Sequence, residues 1–303
     1  MPRFFDSLFR LSHLGEGLSV LAALAWAMAV ILFLVSGRKV HPLALNLFKS
    51  LGSSVLLLFT LAAAGSPLLV SAPFKTYALL AASGIFGIAL ADTYFLKCLN
   101  LMGAGLTAVI DCLYSPFVII LSILILRERM KAPQVAGVAL ILLAILIVSV
   151  KKNETKLPAN ILAQGVSLGA LAMLLQAAGI VMIKPILSDV SILWATWLRV
   201  TAAALTLMVS VAFHPERQSM KRSLLIFNNW KAMVPAALLG SYIGLLAWML
   251  GMKLTRAVVA APLNQLNTIF IFILAALFLK EKATPVKIAA VVLAFAGACL
   301  ASF

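Results

Sequence analysis

Few residues in this sequence can do chemistry at depth in apolar surroundings, and those few recur at fixed intervals. Asp111, Tyr114 and Ser115 stand at i, i+3 and i+4, one face of a helix. Asn264, Asn267 and Thr268 repeat that pattern, and Asn264 lies 153 residues after Asp111. Asp92 is a further carboxylate inside an apolar run, IALADTYFLK. Lys49 and Arg199 are 150 residues apart, as are Trp26 and Gln176. Trp26 and Trp248 sit deep enough in their runs to line a cavity. A charge at the centre of a membrane helix costs about 2.5–3.5 kcal/mol even on the gentler scales, so each such residue is a site candidate. Asp92 and Asp111 could carry a coupling proton or hold a substrate ammonium. Ion pairing with Lys49 or Arg199 is the structural alternative, and Lys49 and Arg199 could instead snorkel to the interface. Pro116 directly after Ser115, and Pro262 just before Asn264, interrupt two helices in corresponding places. Broken helices with polar patches point to a site at the membrane midplane. Trp26, Asp111, Tyr114, Ser115, Gln176, Trp248, Asn264 and Asn267 are therefore the expected substrate lining. Asp92, Asp111, Lys49 and Arg199 are the candidates for charge or proton coupling.

The elements that position them are set by composition. Hydrophobic residues make up 64 % and charged residues 11 % of 303, against roughly 45–50 % and 25 % in soluble domains. Each helical crossing needs about 20 apolar residues, and ten runs of that order follow one another. They are 14–36, 42–64, 74–96, 103–126, 132–150, 161–183, 191–213, 232–252, 257–279 and 284–302. The expected fold is all-α and polytopic, with ten transmembrane helices. The net charge of +15 comes from basic residues at helix ends, which suit lipid headgroups rather than nucleic acid. Trp194 and Trp197, near the start of the seventh run, read as an interfacial belt. Cys98, Cys112 and Cys299 have no paired spacing and read as small core residues. His13, His41 and His214 lie at ends or in loops. No phosphate-cradling glycine loop, metal-ligand pair or nucleophile beside a base is present in the sequence, so no catalytic residue, metal or cofactor is expected.

The runs form two copies of one unit. Residues 103–149 align without a gap on 256–302, placing Ala104 on Ala257, Phe117 on Phe270 and Glu128 on Glu281. Both copies carry an apolar run, a basic-Glu-basic turn (Arg127-Glu128-Arg129, Lys280-Glu281-Lys282), a proline (Pro133, Pro285) and a second apolar run. Five spans per copy is an odd number, so the copies must enter the membrane with opposite polarity, as two inverted five-helix repeats. The expected division is an interfacial segment over 1–13, a first repeat over 14–150, a linker over 151–160 and a second repeat over 161–303.

In these features the chain resembles the EamA-domain carriers of the drug/metabolite transporter superfamily. The match is carried by LYSPFVIILSILILRERMKAPQVAGVALIL in the first half and LFLKEKATPVKIAAVVLAFAG in the second. In the second half Ile269 stands where the first has Pro116. Trp26 and the basic residues Lys49 and Arg199 also fit. The resemblance implies ten helices, both termini cytoplasmic, an inner (plasma) membrane location and export of amino acids or related small metabolites. The loop charges lean the other way: nine Lys and Arg on the terminal side against thirteen opposite.

The expected function is secondary active efflux of a small-molecule substrate by alternating access in the lipid bilayer, with protons as a candidate coupling ion. The alternatives are a multidrug or organic-cation proton antiporter and a membrane scaffold that transports nothing. No enzyme activity and no nucleic-acid partner are expected.

Overall fold

The computed structural model describes residues 14–126, 132–150, 157–187, 189–254 and 263–301. The expected interfacial segment 1–13, the turn holding Glu128, most of the charged linker, and Pro262 lie outside these residues. The described residues are helical apart from short connections. In lipid a helix satisfies its own backbone, which is why an apolar chain adopts it.

α1 spans Leu14–Gly37 and α2 spans Pro42–Ala63. α3 runs Phe74–Met102 and widens into π-helical turns over Ile85–Leu90. The fourth apolar run is two helices, α4 (Ala104–Asp111) and α5 (Tyr114–Leu126). α6 is Ala132–Val150, α7 Ala159–Ile183 and α8 Ile192–Ala212. The polar loop after α8 folds into a short helix, α9 (Arg217–Leu225). α10 covers 227–254 and widens over Ala237–Gly244. α11 is Leu266–Phe278 and α12 Pro285–Ala301. Among the described residues, and with the broken α4–α5 run taken as one, 7 helices are long and apolar enough to cross a membrane, and three shorter apolar helices stand beside them.

The packing obeys the repeat. α1 packs on α10 and α11, and α7, its equivalent, packs on α3 and α5. α2 packs on its own equivalent α8, and α6 on α12. Each half therefore lends its first helix to the other half. Glycine permits the close packing of α3 against α8 and α7. A Cβ on Gly84 of α3 would overlap the backbone carbonyl of Arg199 in α8, and one on Gly179 of α7 would come 2.9 Å from Gly87 Cα. In lipid, where apolar burial gives helices no mutual attraction, such close approach is what holds them together.

The equivalent fourth and ninth segments run antiparallel. Glu281, past the end of α11, accepts hydrogen bonds from the N–H groups of Ala104 (2.8 Å) and Gly105 (3.2 Å) at the start of α4. Near the α4–α5 break, Cys112 lies 3.5 Å from Thr268. Glu281 satisfies two of the unpaired N–H groups that every helix start presents, and its charge suits the positive end of the helix dipole.

Candidate functional site

Two helix breaks face each other at the centre. α4 ends at Asp111 and α5 begins at Tyr114, so the break lies at Cys112–Leu113, one turn before Pro116. Pro116 has no N–H to give the carbonyl of Cys112, four residues back, and the helix opens there. In the second half the helical path is interrupted at Gln265, the equivalent of Cys112 at the 153 offset. Ile269 replaces the proline there, and the interruption persists without it. The two breaks are joined: Gln265 donates to the Ser115 hydroxyl at 3.2 Å, and the Asn267 amide donates to Asp111 at 3.3 Å.

A cavity of about 190 Å³ opens beside these breaks. Trp26, Asp111, Tyr114, Gln176, Trp248, Asn264 and Asn267 line it, and so do Lys49, Asp92 and Arg199. Ser115 is the exception among the expected lining residues: it sits behind the wall, holding Gln265. The helix break turns it out of the face it would share with Asp111 in an unbroken helix.

The widened turns also meet the cavity. Gly87 and Ile88 of α3, and Gly240, Ser241 and Gly244 of α10, belong to its wall. Gly87 and Gly240 are repeat equivalents, so both widened segments occupy the same place in the unit. Inserted turns of this kind loosen backbone bonding and gather at functional sites. In α3 two carbonyls of these turns, already bonded within the helix by the Ala91 N–H and the Thr93 hydroxyl, gain a further partner from α2. The Asn46 amide lies 3.1 Å from the Ile88 carbonyl and 2.9 Å from the Ala89 carbonyl and donates to both. It also reaches the Thr93 hydroxyl at 2.9 Å. Asn46 shares a face with Lys49, three residues on, and Lys49 makes an ion pair with Asp92 at 2.5 Å.

The charges differ between the halves. Lys49 is 3 % exposed and paired; Arg199 is 8 % exposed, and its Nε has no hydrogen-bond partner. Neither basic side chain snorkels to the interface. Sequence reasoning missed Asn46, Ser50, Thr196, Ser241 and Gln265. Gln265 was reachable, since it matches the break position of the first half; a hydroxyl on a membrane helix, by contrast, carries little signal because it can bond its own helix.

Trp194 corrects the interfacial-belt expectation. It is fully buried, donates to the Leu68 carbonyl at 2.9 Å and stands edge-on to Tyr77. With Leu61, Leu80 and Ile183 it closes the bundle on the side of the 64–73 connection. At the other end the His41 and His214 rings lie 5.3 Å apart, tilted by 50°. Burial, then the charge of His214 and of Lys97, depresses the His41 pKa.

Apolar helices around a buried, charged chamber define an integral membrane protein. The EamA-like transporter family model matches residues 13–150 and again 163–303, and the chain belongs to that family. It is thus a membrane transporter of the drug/metabolite transporter superfamily. No curated protein matches the sequence. A solved structure described only as "Crystal structure of protein" is similar with a TM-score of 0.66 and 16 % identity, over 94 % of this chain and 95 % of that chain. That likeness is one of fold.

Proposed function

We propose that the chain is a secondary active exporter of small metabolites, amino acids above all, working by alternating access between two inverted five-helix halves. In this reading it makes ten crossings of the inner (plasma) membrane and keeps both termini in the cytoplasm. The observation that carries the proposal is the chamber at the facing breaks, which holds Asp111 and Arg199 within one wall of mixed polar and apolar residues drawn from both halves. Two widened helices at equivalent positions supply compliant backbone on either side of it. Drug-sized ligands occupy cavities of roughly 300–1,000 Å³. At about 190 Å³ this one suits a smaller cargo. The organic-cation alternative had two carboxylates to use, and Asp92 is already neutralised by Lys49. Asp111 is the remaining candidate for a coupling proton.

Counterflow in proteoliposomes loaded with a panel of amino acids and organic cations, with and without a pH gradient, tests the proposal. Flux of zwitterionic amino acids, stimulated by the gradient and lost in Asp111→Asn, is the expected result. Absence of flux with every cargo would favour the scaffold. Flux and gradient stimulation unchanged in Asp111→Asn would remove that residue from the mechanism.

A further inference from the structure

The repeat gives each half one basic residue in its second helix, and the halves then treat that residue differently. Lys49 meets Asp92 on α3. The position equivalent to Asp92 in the second half, at the 153 offset, is Leu245, a hydrocarbon that offers Arg199 nothing. Arg199 is 92 % buried by its 8 % exposure, its Nε has no partner, and no carboxylate of the described residues lies within ion-pair distance of it. Its guanidinium nevertheless stays in the chamber, with Nη2 3.7 Å from where a Cβ on Gly87 would stand. A guanidinium carries five donors in a fixed fork and is expected to fill them when buried.

We propose that Arg199 is the anion subsite of the chamber and takes the carboxylate of the cargo, while Asp111 receives the cargo's protonated amine. This rests on the transport reading above and names the chemistry that the site selects. The fork of Arg199 matches a carboxylate with two parallel hydrogen bonds. Asp111 holds one bond from Asn267 and keeps further acceptor capacity. Tyr114 lies within electrostatic reach of both Arg199 and Asp111, so the two ends belong to one chamber. Lys49 is paired in place with Asp92; Asp92 also lies within electrostatic reach of Arg199 but makes no ion pair with it, so the Arg199 fork is left for the cargo. A monocarboxylate satisfies it; a phosphate dianion would bring a second charge with nothing to meet it. Arg199 is thus a specificity-determining residue, and its repeat partner Lys49 is not.

The test uses the full chain in detergent and two matched sets of probes: L-leucine, 3-methylbutylamine and N-acetyl-L-leucine, and the corresponding phenylalanine set. Calorimetry should show a zwitterion binding at least tenfold more tightly than its own amine or its own N-acetyl acid. Arg199→Gln should bring the zwitterion-to-amine ratio close to one, and Arg199→Lys should restore part of it. Should Arg199→Gln fail to fold, wild-type protein still decides. The zwitterion, and not the amine, should slow phenylglyoxal modification of Arg199, followed by peptide mass spectrometry. A ratio that survives in Arg199→Gln, a wild-type preference for the amine, or no binding by either set would overturn the assignment. Flux in proteoliposomes separates the two failures. No flux with any cargo removes the transport reading; intact flux with an unchanged ratio in Arg199→Gln removes the subsite alone.

Discussion

Lys49 and Asp92 illustrate what a charged pair does at depth. Each alone would be a buried charge without compensation; together they form a neutral unit that ties α2 to α3. Removing one partner of a buried pair costs about 3–5 kcal/mol, whereas replacing both is often far milder. Lys49→Gln should therefore lower the thermal stability of the purified protein strongly. The double variant Lys49→Gln with Asp92→Asn should recover most of that loss. Equal losses in the single and double variants would show that the pair contributes nothing as a pair. Such pairing was only half legible in the sequence. A lysine and an aspartate in successive apolar runs announce that a partner is needed, but two basic residues competed for two carboxylates. The choice is made by the packing of α2 on α3, which brings Lys49 onto Asp92, and a sequence does not state that packing.

At the scale of elements, several departures from a plain helix have a local cause or a local remedy. Pro116 opens the fourth run because it withholds one N–H. Glu281 closes the start of α4 because two backbone donors there have no internal partner. Asn46 does the same work for acceptors by covering two carbonyls of the widened turn. Each carbonyl keeps a second donor, the Ala91 N–H for Ile88 and the Thr93 hydroxyl for Ala89, so the loss is that of the Asn46 hydrogen bonds themselves, about 0.5–1.5 kcal/mol each. Asn46→Leu should thus lower the melting temperature, and it should also weaken the Lys49–Asp92 contact by loosening the turn that presents Asp92. A double-mutant cycle between position 46 and the pair reads this coupling. Additive losses would separate Asn46 from it. Helix boundaries were legible where the described residues show them, since hydrophobic length and terminal residues specify them: α2 begins and ends, α1 ends and α12 begins within two residues of the runs read from the sequence. The widened turns were not legible, because a π-turn needs one surplus residue and no particular side chain.

For the molecule as a whole, the pairing of α1 with α10 and α11, and of α7 with α3 and α5, makes the repeat a property of the packing as well as of the sequence. Ten crossings with inverted halves would place Lys39 and Glu216 on one face and Ser66 and Asp189 on the other. Single cysteines at these positions, in a background with Cys98, Cys112 and Cys299 replaced, should label in two opposed groups with a membrane-impermeant maleimide. Labelling of all four from one side would rule out the inverted topology. The duplication itself was plain from the 153-residue offset, whereas the exchange of first helices was hidden, because a repeat does not say which copy receives which element. That exchange bears on how the protein is made. α1 is the first described helix to leave the ribosome, yet its neighbours include α11, the penultimate one. Until synthesis is nearly finished, the newborn N-terminal helix must wait in the bilayer with its contact face open to lipid or to whatever insertion factor shelters it.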